Sequence, residues 1–176
     1  AGMKGDKLVD FHLIGSHGPT YYKRYPGSHR HFLPDCQRSD IENCTQEQLV
    51  NTYDNTIRHT DYVLAQMIEK LKQYSEQYNT VLLYVSDHGE SLGESGLYLH
   101  GTPYKLAPDQ QTHIPMQLWM SPGFIAAKNI NAACLQHNAV NRTYSHDNLF
   151  ASVLGLWDIT TGAYLPESDL FRECRG

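Results

Sequence analysis

Residues 80–86 read TVLLYVS, and this short apolar run decides how the chain folds. Successive side chains of a strand point to opposite faces, so the unbroken apolar run 81–85 must be covered on both sides. Strands that are apolar on both faces are typical of a parallel sheet covered by helices. The run therefore predicts an interior strand of an α/β fold.

The sequence before this strand predicts a second strand and a long helix. Residues 8–14, LVDFHLI, have the composition of a strand and end at the loop-forming sequence GSHGP. Thr45 and Gln48 match the S/T-x-x-E/Q capping box, which predicts a helix over about residues 46–76. Together with 80–86 these elements predict a right-handed βαβ unit with parallel strands.

The sequence after it predicts one more strand and one more helix. Residues 114–120, IPMQLWM, are expected to form a strand, since a proline such as Pro115 is tolerated where a strand begins. Residues 145–157 predict a helix with Ser145 as its N-cap. At 176 residues the chain is long enough for one domain with its own core.

The charge of the chain excludes one broad class of function. The net charge of −5 argues against a general nucleic-acid binder, because neutralising phosphates needs a basic surface. No run approaches the roughly 18 apolar residues of a membrane span. One basic cluster contains Lys23, Arg24 and Arg30 beside His29 and His31, and it is either a solvated loop or a contact for an anionic head group.

The four cysteines suggest an oxidising compartment. Cys36 and Cys44 lie close together in a polar loop, where a disulfide would stabilise the fold by about 2.5 kcal/mol. Free thiols or a zinc site are the alternatives, although no CxxC spacing supports zinc. The spacing of Cys134 and Cys174 does not decide whether these two pair.

Residue types that commonly bind metals follow both of the strands predicted in the first half of the chain, 8–14 and 80–86. His17 comes directly after the first strand, and Asp87 and His88 come directly after the second. Ligands bind at the carboxyl ends of strands in open α/β sheets, so these side chains are expected within reach of one another. The glycine-rich loop that follows can return His100 to the same edge.

This pattern predicts a metal site. Carboxylate oxygens and imidazole nitrogens are ligands of zinc and, less often, of manganese or iron. The alternative is a loop in which Asp87 caps a helix and His88 is a hydrogen-bonded surface residue.

The remaining histidines are given structural roles. His12, inside the first predicted strand, is expected to be a core residue or to support a ligand, and His146 can cap the last helix. The others lack a carboxylate at useful spacing and are not expected to bind metal: His29, His31, His59, His113 and His137.

Three segments together resemble the phosphoethanolamine transferases of Gram-negative bacteria: SDHGESLGESGLYLHGTPY, IGSHGPTYYKRYP and CTQEQLVNTYDNT. These enzymes modify lipid A and include the mobilised colistin-resistance, or polymyxin-resistance, group. The resemblance runs from about residue 7 to 156. The block from SDHGESLGE to LHG is more specific than the Asp-His-Gly shared by the wider alkaline phosphatase and sulfatase superfamily.

The resemblance implies an α/β/α sandwich with a mainly parallel central sheet, on the periplasmic face of the inner membrane. It implies a zinc ion held by a glutamate, a nucleophilic threonine and an Asp-His pair that matches Asp87 and His88. His17 and His100 match histidines that bind a second zinc or the substrate phosphate. The family's short disulfide matches the cysteine pair 36 and 44.

The resemblance also implies a ping-pong transfer of phosphoethanolamine from phosphatidylethanolamine, through the threonine, to a lipid A phosphate. His17 or His100 would protonate the leaving oxygen or hold a non-bridging one. Glu90 would orient a ligand imidazole and contribute to substrate binding, or it is a loop carboxylate in water.

The match to the family is incomplete. Its metal-binding glutamate and its threonine match no segment here, so residues 1–176 are expected to be the C-terminal portion of a single periplasmic catalytic domain. Such a portion would have little activity alone and bind zinc weakly. It would need the N-terminal half or another fragment, a dimer partner or a domain swap to cover an open sheet edge. The alternatives are a related sulfatase or phosphoglycerol transferase, and a non-catalytic metal-binding fragment.

Overall fold

The computed structural model describes residues 5–176, which form two compact units. The first unit contains the described residues up to Ala65 together with His88–His113. The second contains Gln66–Asp87 and Ile114–Gly176. Among the described residues, no helix has both the length and the apolarity that crossing a membrane requires.

Helix α1, Gln46–Tyr74, confirms the long helix predicted from the capping box. The Gln48 amide donates to Thr45 Oγ1 at 3.2 Å, and Gln48 Oε1 accepts from the Thr45 amide at 2.9 Å. The reciprocal bonds satisfy two of the amides that a helix start leaves unpaired. The N-terminal turns of α1 bury Leu49 against Tyr21 and Leu92, which form the core of the first unit.

A buried asparagine on α1 holds the irregular chain that precedes the helix. Asn55 is fully buried, and its Oδ1 accepts from the amides of His31 and Phe32 at 2.8 and 2.9 Å. Its Nδ2 donates to the Phe32 carbonyl at 3.0 Å. The same loop contains short 3-10 turns at Tyr21–Lys23, Gly27–His29 and Ile41–Asn43.

Both cysteine pairs form disulfides. The Cys36–Cys44 bridge confirms the pairing predicted from sequence. Cys134 pairs with Cys174, a pairing that the sequence left open. The second bridge spans 40 residues, and closing a loop of that length stabilises a fold by about 4 kcal/mol on the chain-entropy model.

The sheet of the second unit is antiparallel, which corrects the predicted parallel βαβ unit. Strand β1, Val81–Val85, pairs with β4, Met116–Met120, with Leu83 opposite Leu118. Both strands were predicted, but their pairing was not. The chain between them reverses direction through short elements, so no crossover helix returns it to the starting end of the sheet.

Residues 8–14 were expected to form a strand, and within the described part of the chain they form none. Leu8 and Phe11 are 69% and 65% exposed, and His12 is exposed rather than part of a core. The composition is that of a strand of mixed burial, but a strand forms only where a second strand satisfies its backbone groups.

A small hairpin and a short helix complete the first unit. Strands β2, Ser91–Leu92, and β3, Tyr98–Leu99, pair antiparallel around a 3-10 turn at Glu94–Gly96. Gly93 has a φ of 121°, a conformation that glycine adopts without steric cost. Helix α2, Asp109–Thr112, follows the hairpin.

Three helices pack on the core of the second unit: α3, Pro122–Ala127; α4, Ala132–Asn141; and α5, Asp147–Leu156. The first two begin at side-chain caps, where Ser121 accepts from the Phe124 amide and Asn131 from the Cys134 amide. The core consists of Phe124, Ile130, Leu156 and Phe171.

Helix α5 begins later than predicted. His146, not Ser145, occupies the N-cap position, and its side chain does not cap the helix. Ser145 Oγ nevertheless accepts from the Asp147 amide at 3.2 Å, while the His146 ring bonds the Ser86 carbonyl at 2.8 Å. The predicted cap therefore acts one residue before the helix boundary.

Replacing Asn55 by alanine is expected to lower the free energy of unfolding by about 3 kcal/mol, because it leaves buried backbone groups without partners. N51A is the matched control on the same helix, since Asn51 makes one bond to the Pro34 carbonyl, and it should cost about 1 kcal/mol. Urea unfolding followed by circular dichroism measures both. Equal losses would show that Asn55 does not anchor the loop.

Candidate metal centre

Three histidines of the first unit converge. The candidate ligand atoms of His17, His88 and His100 all lie within 4.8 Å of one another. The rings of His88 and His100 are 3.9 Å apart between centroids, and His17 lies 4.7 Å from His100 and 5.6 Å from His88. The convergence of these loops was expected, and the described residues contain no other such group.

The hydrogen bonds of two of the rings, those of His17 and His88, define their tautomers. Nδ1 of His17 bonds the Gly18 carbonyl at 2.7 Å, and Nδ1 of His88 bonds the Gly89 carbonyl at 2.9 Å. Carbonyl oxygens only accept, so each Nδ1 must carry the proton, and Nε2 of a neutral ring then carries the lone pair. An imidazole nitrogen with a free lone pair is a donor of the kind that binds zinc.

The third ring is held by a buried carboxylate. Nδ1 of His100 donates to Glu90 Oε1 at 3.1 Å, and Glu90 is only 5% exposed. The alternative of a loop carboxylate in water is therefore wrong. A carboxylate behind an imidazole fixes the ring's orientation and increases its basicity as a ligand.

Two further hydrogen-bond donors, both from the loop that carries His17, bond the carboxylate oxygens of Glu90. The Gly18 amide donates to Oε1 at 3.1 Å, and the Tyr21 hydroxyl donates to Oε2 at 3.0 Å. Burial and the negative charge of Glu90 raise the pKa of Tyr21, so its phenol remains a donor. Tyr21 was not predicted as a site residue, because its pairing with Glu90 spans 69 residues of sequence.

Close packing determines the residue type at position 18. A Cβ at Gly18 would lie 2.6 Å from Leu99 Cδ2 and from the Tyr21 hydroxyl. Glycine therefore lets the His17 loop approach the hairpin, which brings the Gly18 amide to Glu90.

Gln111 in helix α2 supports the other two loops, and sequence reasoning missed it as well. Its backbone carbonyl accepts from the Gly89 amide at 3.0 Å, and its side-chain Nε2 donates to Ser91 Oγ at 2.9 Å. Its Oε1 accepts from the Thr102 amide at 3.3 Å. This buried side chain thus bonds the segment that carries His88 and the segment that follows His100.

Asp87 lies in the second unit, two residues after β1. Asp87 is exposed. The pKa of Tyr84 is raised mainly because Tyr84 is partly buried, and the negative charge of Asp87 adds to that rise. The predicted ligation of zinc by Asp87 together with His88 stays a prediction.

The chain belongs to the sulfatase family, whose model matches residues 3–159. It also resembles the soluble domain of lipooligosaccharide phosphoethanolamine transferase A from Neisseria meningitidis, with 48% identity and a TM-score of 0.89 over 93% of this chain and 49% of that one. The predicted alkaline phosphatase/sulfatase-like α/β fold class is thereby confirmed, although both sheets of the described residues are antiparallel and not mainly parallel as expected.

Relatives of known sequence agree with this likeness. The chain is 49% identical to phosphoethanolamine transferase EptA of Salmonella typhimurium over 98% of its own length. It spans about a third, 32%, of that relative. It also matches 30% of the integral membrane protein EptA from Neisseria meningitidis, with a TM-score of 0.89 and 48% identity over 92% of this chain.

Replacing Tyr21 by phenylalanine is expected to lower the free energy of unfolding by about 2 kcal/mol, because a buried carboxylate loses one of its donors. Y22F, on the same 3-10 turn, is the control and should change stability by less than about 0.5 kcal/mol. Chemical denaturation of both variants above pH 7 measures the difference. A Y21F variant as stable as Y22F would contradict the role of this hydroxyl.

Proposed function

We propose that this chain contributes the histidine-bearing part of the active site of a zinc-dependent phosphoethanolamine transferase that acts on lipid A. The observation that carries the proposal is the convergence of His17, His88 and His100, with buried Glu90 behind His100. The likeness to relatives named phosphoethanolamine transferases supports this activity over the related sulfatase and phosphoglycerol transferase reactions.

Asp87 and His88 are the proposed primary zinc ligands of this chain. His17 and His100 bind a second zinc ion or the phosphate of the substrate. The chemistry of the donor set fits zinc, which prefers imidazole nitrogens and carboxylate oxygens. Zinc, when bound, lowers the pKa of a nucleophilic hydroxyl and stabilises negative charge on phosphoryl oxygens.

His17 and His100 perform the proton and anion chemistry in this proposal. Both rings are exposed, so a substrate phosphate can reach them. Where these rings bind the phosphate and not a second zinc, a protonated Nε2 donates to a non-bridging oxygen, or passes its proton to the leaving glycerol oxygen of the phosphatidylethanolamine donor. Glu90 accepts a hydrogen bond from the Nδ1–H of His100, and so keeps Nε2 directed toward the shared space.

The nucleophile in this proposal is a threonine outside the chain. The relatives extend well beyond the matched region, and the threonine and a further glutamate ligand would come from there. Residues 1–176 would then be the C-terminal portion of one periplasmic catalytic domain, joined to the inner membrane through another region. The exposed apolar side chains of residues 8–14 are suited to pairing with the rest of that domain.

Zinc binding by the 176-residue chain tests the metal assignment. H88A is expected to weaken zinc affinity by at least about 100-fold, because it removes a proposed primary ligand. Outer-sphere partners typically contribute 10–100-fold, and E90Q is expected to cost about 10-fold where His100 binds the second zinc. H113A is the control, because His113 is an exposed histidine of the same unit outside the cluster. Isothermal titration measures the affinities, and an H113A loss equal to that of H88A would refute the assignment.

Lipid A modification by the longer protein tests the reaction. Mass spectrometry of lipid A from cells that express it should detect added phosphoethanolamine, which a metal chelator abolishes in the purified enzyme. H17A and H100A are each expected to lower the rate by at least about 100-fold, the scale of one general-acid or oxyanion contact. If lipid A stayed unmodified and the purified enzyme cleaved an aryl sulfate, the sulfatase alternative would be favoured.

A further inference from the structure

The loop that follows His100 exposes two large apolar side chains with a lysine between them. Tyr104 is 84% exposed and Leu106 is 74% exposed, and Lys105 is exposed as well. We call Tyr104, Lys105 and Leu106 the YKL tip. Exposed apolar side chains are ordinary one at a time, but two at a turn beside a candidate active site are suited to an apolar contact.

The YKL tip is built on a fixed base. The amides of Leu106 and Ala107 both donate to the Pro103 carbonyl, at 2.7 and 3.0 Å, and close a tight turn. The Thr102 amide is bonded to Gln111, the buried side chain that also supports the segment after His88. The tip therefore extends from the same framework that positions the histidine cluster.

The three side chains have the chemistry of a membrane contact. Tyrosine favours the membrane–water interface, where its ring and hydroxyl meet different surroundings. Leucine gains from leaving water, and a lysine beside it can bind anionic head groups. A stable protein interface takes roughly 20–30 residues a side, and a tip of three side chains is suited instead to a shallow contact with a lipid surface.

We propose that the YKL tip inserts into the surface of a phospholipid bilayer and holds the histidine cluster beside its lipid substrate. The inference rests on the proposed function, since a phospholipid donor must be taken from a membrane. Lys105 is exposed at the tip and supplies the local cation that attracts it to anionic head groups, although the chain as a whole carries a net charge of −5.

A tryptophan reporter tests the contact directly. In L106W, vesicles of phosphatidylethanolamine and phosphatidylglycerol are expected to shift the tryptophan emission to the blue, and brominated lipids are expected to quench it. V140W is the matched control, because Val140 is 84% exposed and lies in the second unit. An unchanged L106W spectrum would overturn the proposal, and so would an equal shift in V140W, which would indicate general adhesion.

Two measurements distinguish the membrane contact from the proposed reaction: vesicle binding, followed by sedimentation, and turnover of the donor lipid. Y104S/L106S is expected to bind the same vesicles at least about tenfold more weakly, because both apolar side chains lose their transfer free energy. H100A should bind vesicles as the parent chain does. In the longer protein, Y104S/L106S should lose turnover of donor lipid in vesicles and keep turnover of a short-chain monomeric donor.

The outcomes for the two proposals are distinct. A variant Y104S/L106S that loses turnover of both donors would overturn the membrane role of the tip. Vesicle binding through the tip in a protein that transfers no phosphoethanolamine would leave the membrane contact standing and refute the proposed reaction.

Discussion

The first unit depends on one buried carboxylate. Burying an ionised group costs several kcal/mol unless hydrogen bonds and opposite charge compensate. Glu90 meets this cost with the Gly18 amide, the Tyr21 hydroxyl and the ring of His100. The donors come from the loop of His17 and from the end of the hairpin, so the carboxylate joins the two segments that must meet for the histidines to converge.

The histidine cluster lies on loops without regular secondary structure, and hydrogen bonds from side chains hold these loops in place. Binding residues commonly lie on loops that a rigid framework positions. Here much of that framework is side-chain hydrogen bonding: Asn55 of α1 holds the chain before the helix, and Gln111 of α2 holds the segments near His88 and His100. Such bonds replace the strand ladders that would otherwise satisfy the backbone of a loop. The disulfide 36–44 adds a covalent constraint.

Local patterns predicted the regular elements well and their pairing poorly. The capping box located the start of α1, and apolar runs located β1 and β4, because caps and burial act within a few residues. The parallel pairing and the strand at 8–14 were wrong. Strand pairing depends on which distant segment hydrogen-bonds the backbone N–H and C=O groups of a strand. The apolar pattern of one strand does not identify that partner segment.

By itself, the sequence determined the chemistry available to this protein. Its spacing placed His17, His88 and His100 on loops after apolar segments, and its motifs indicated the family. Only the tertiary structure decided that Glu90 is buried behind His100 and that Tyr21 completes its hydrogen bonds. Residue types limit which bonds can form, whereas the satisfaction of a buried charge depends on donors that lie far away in sequence and reach it only when the loops close.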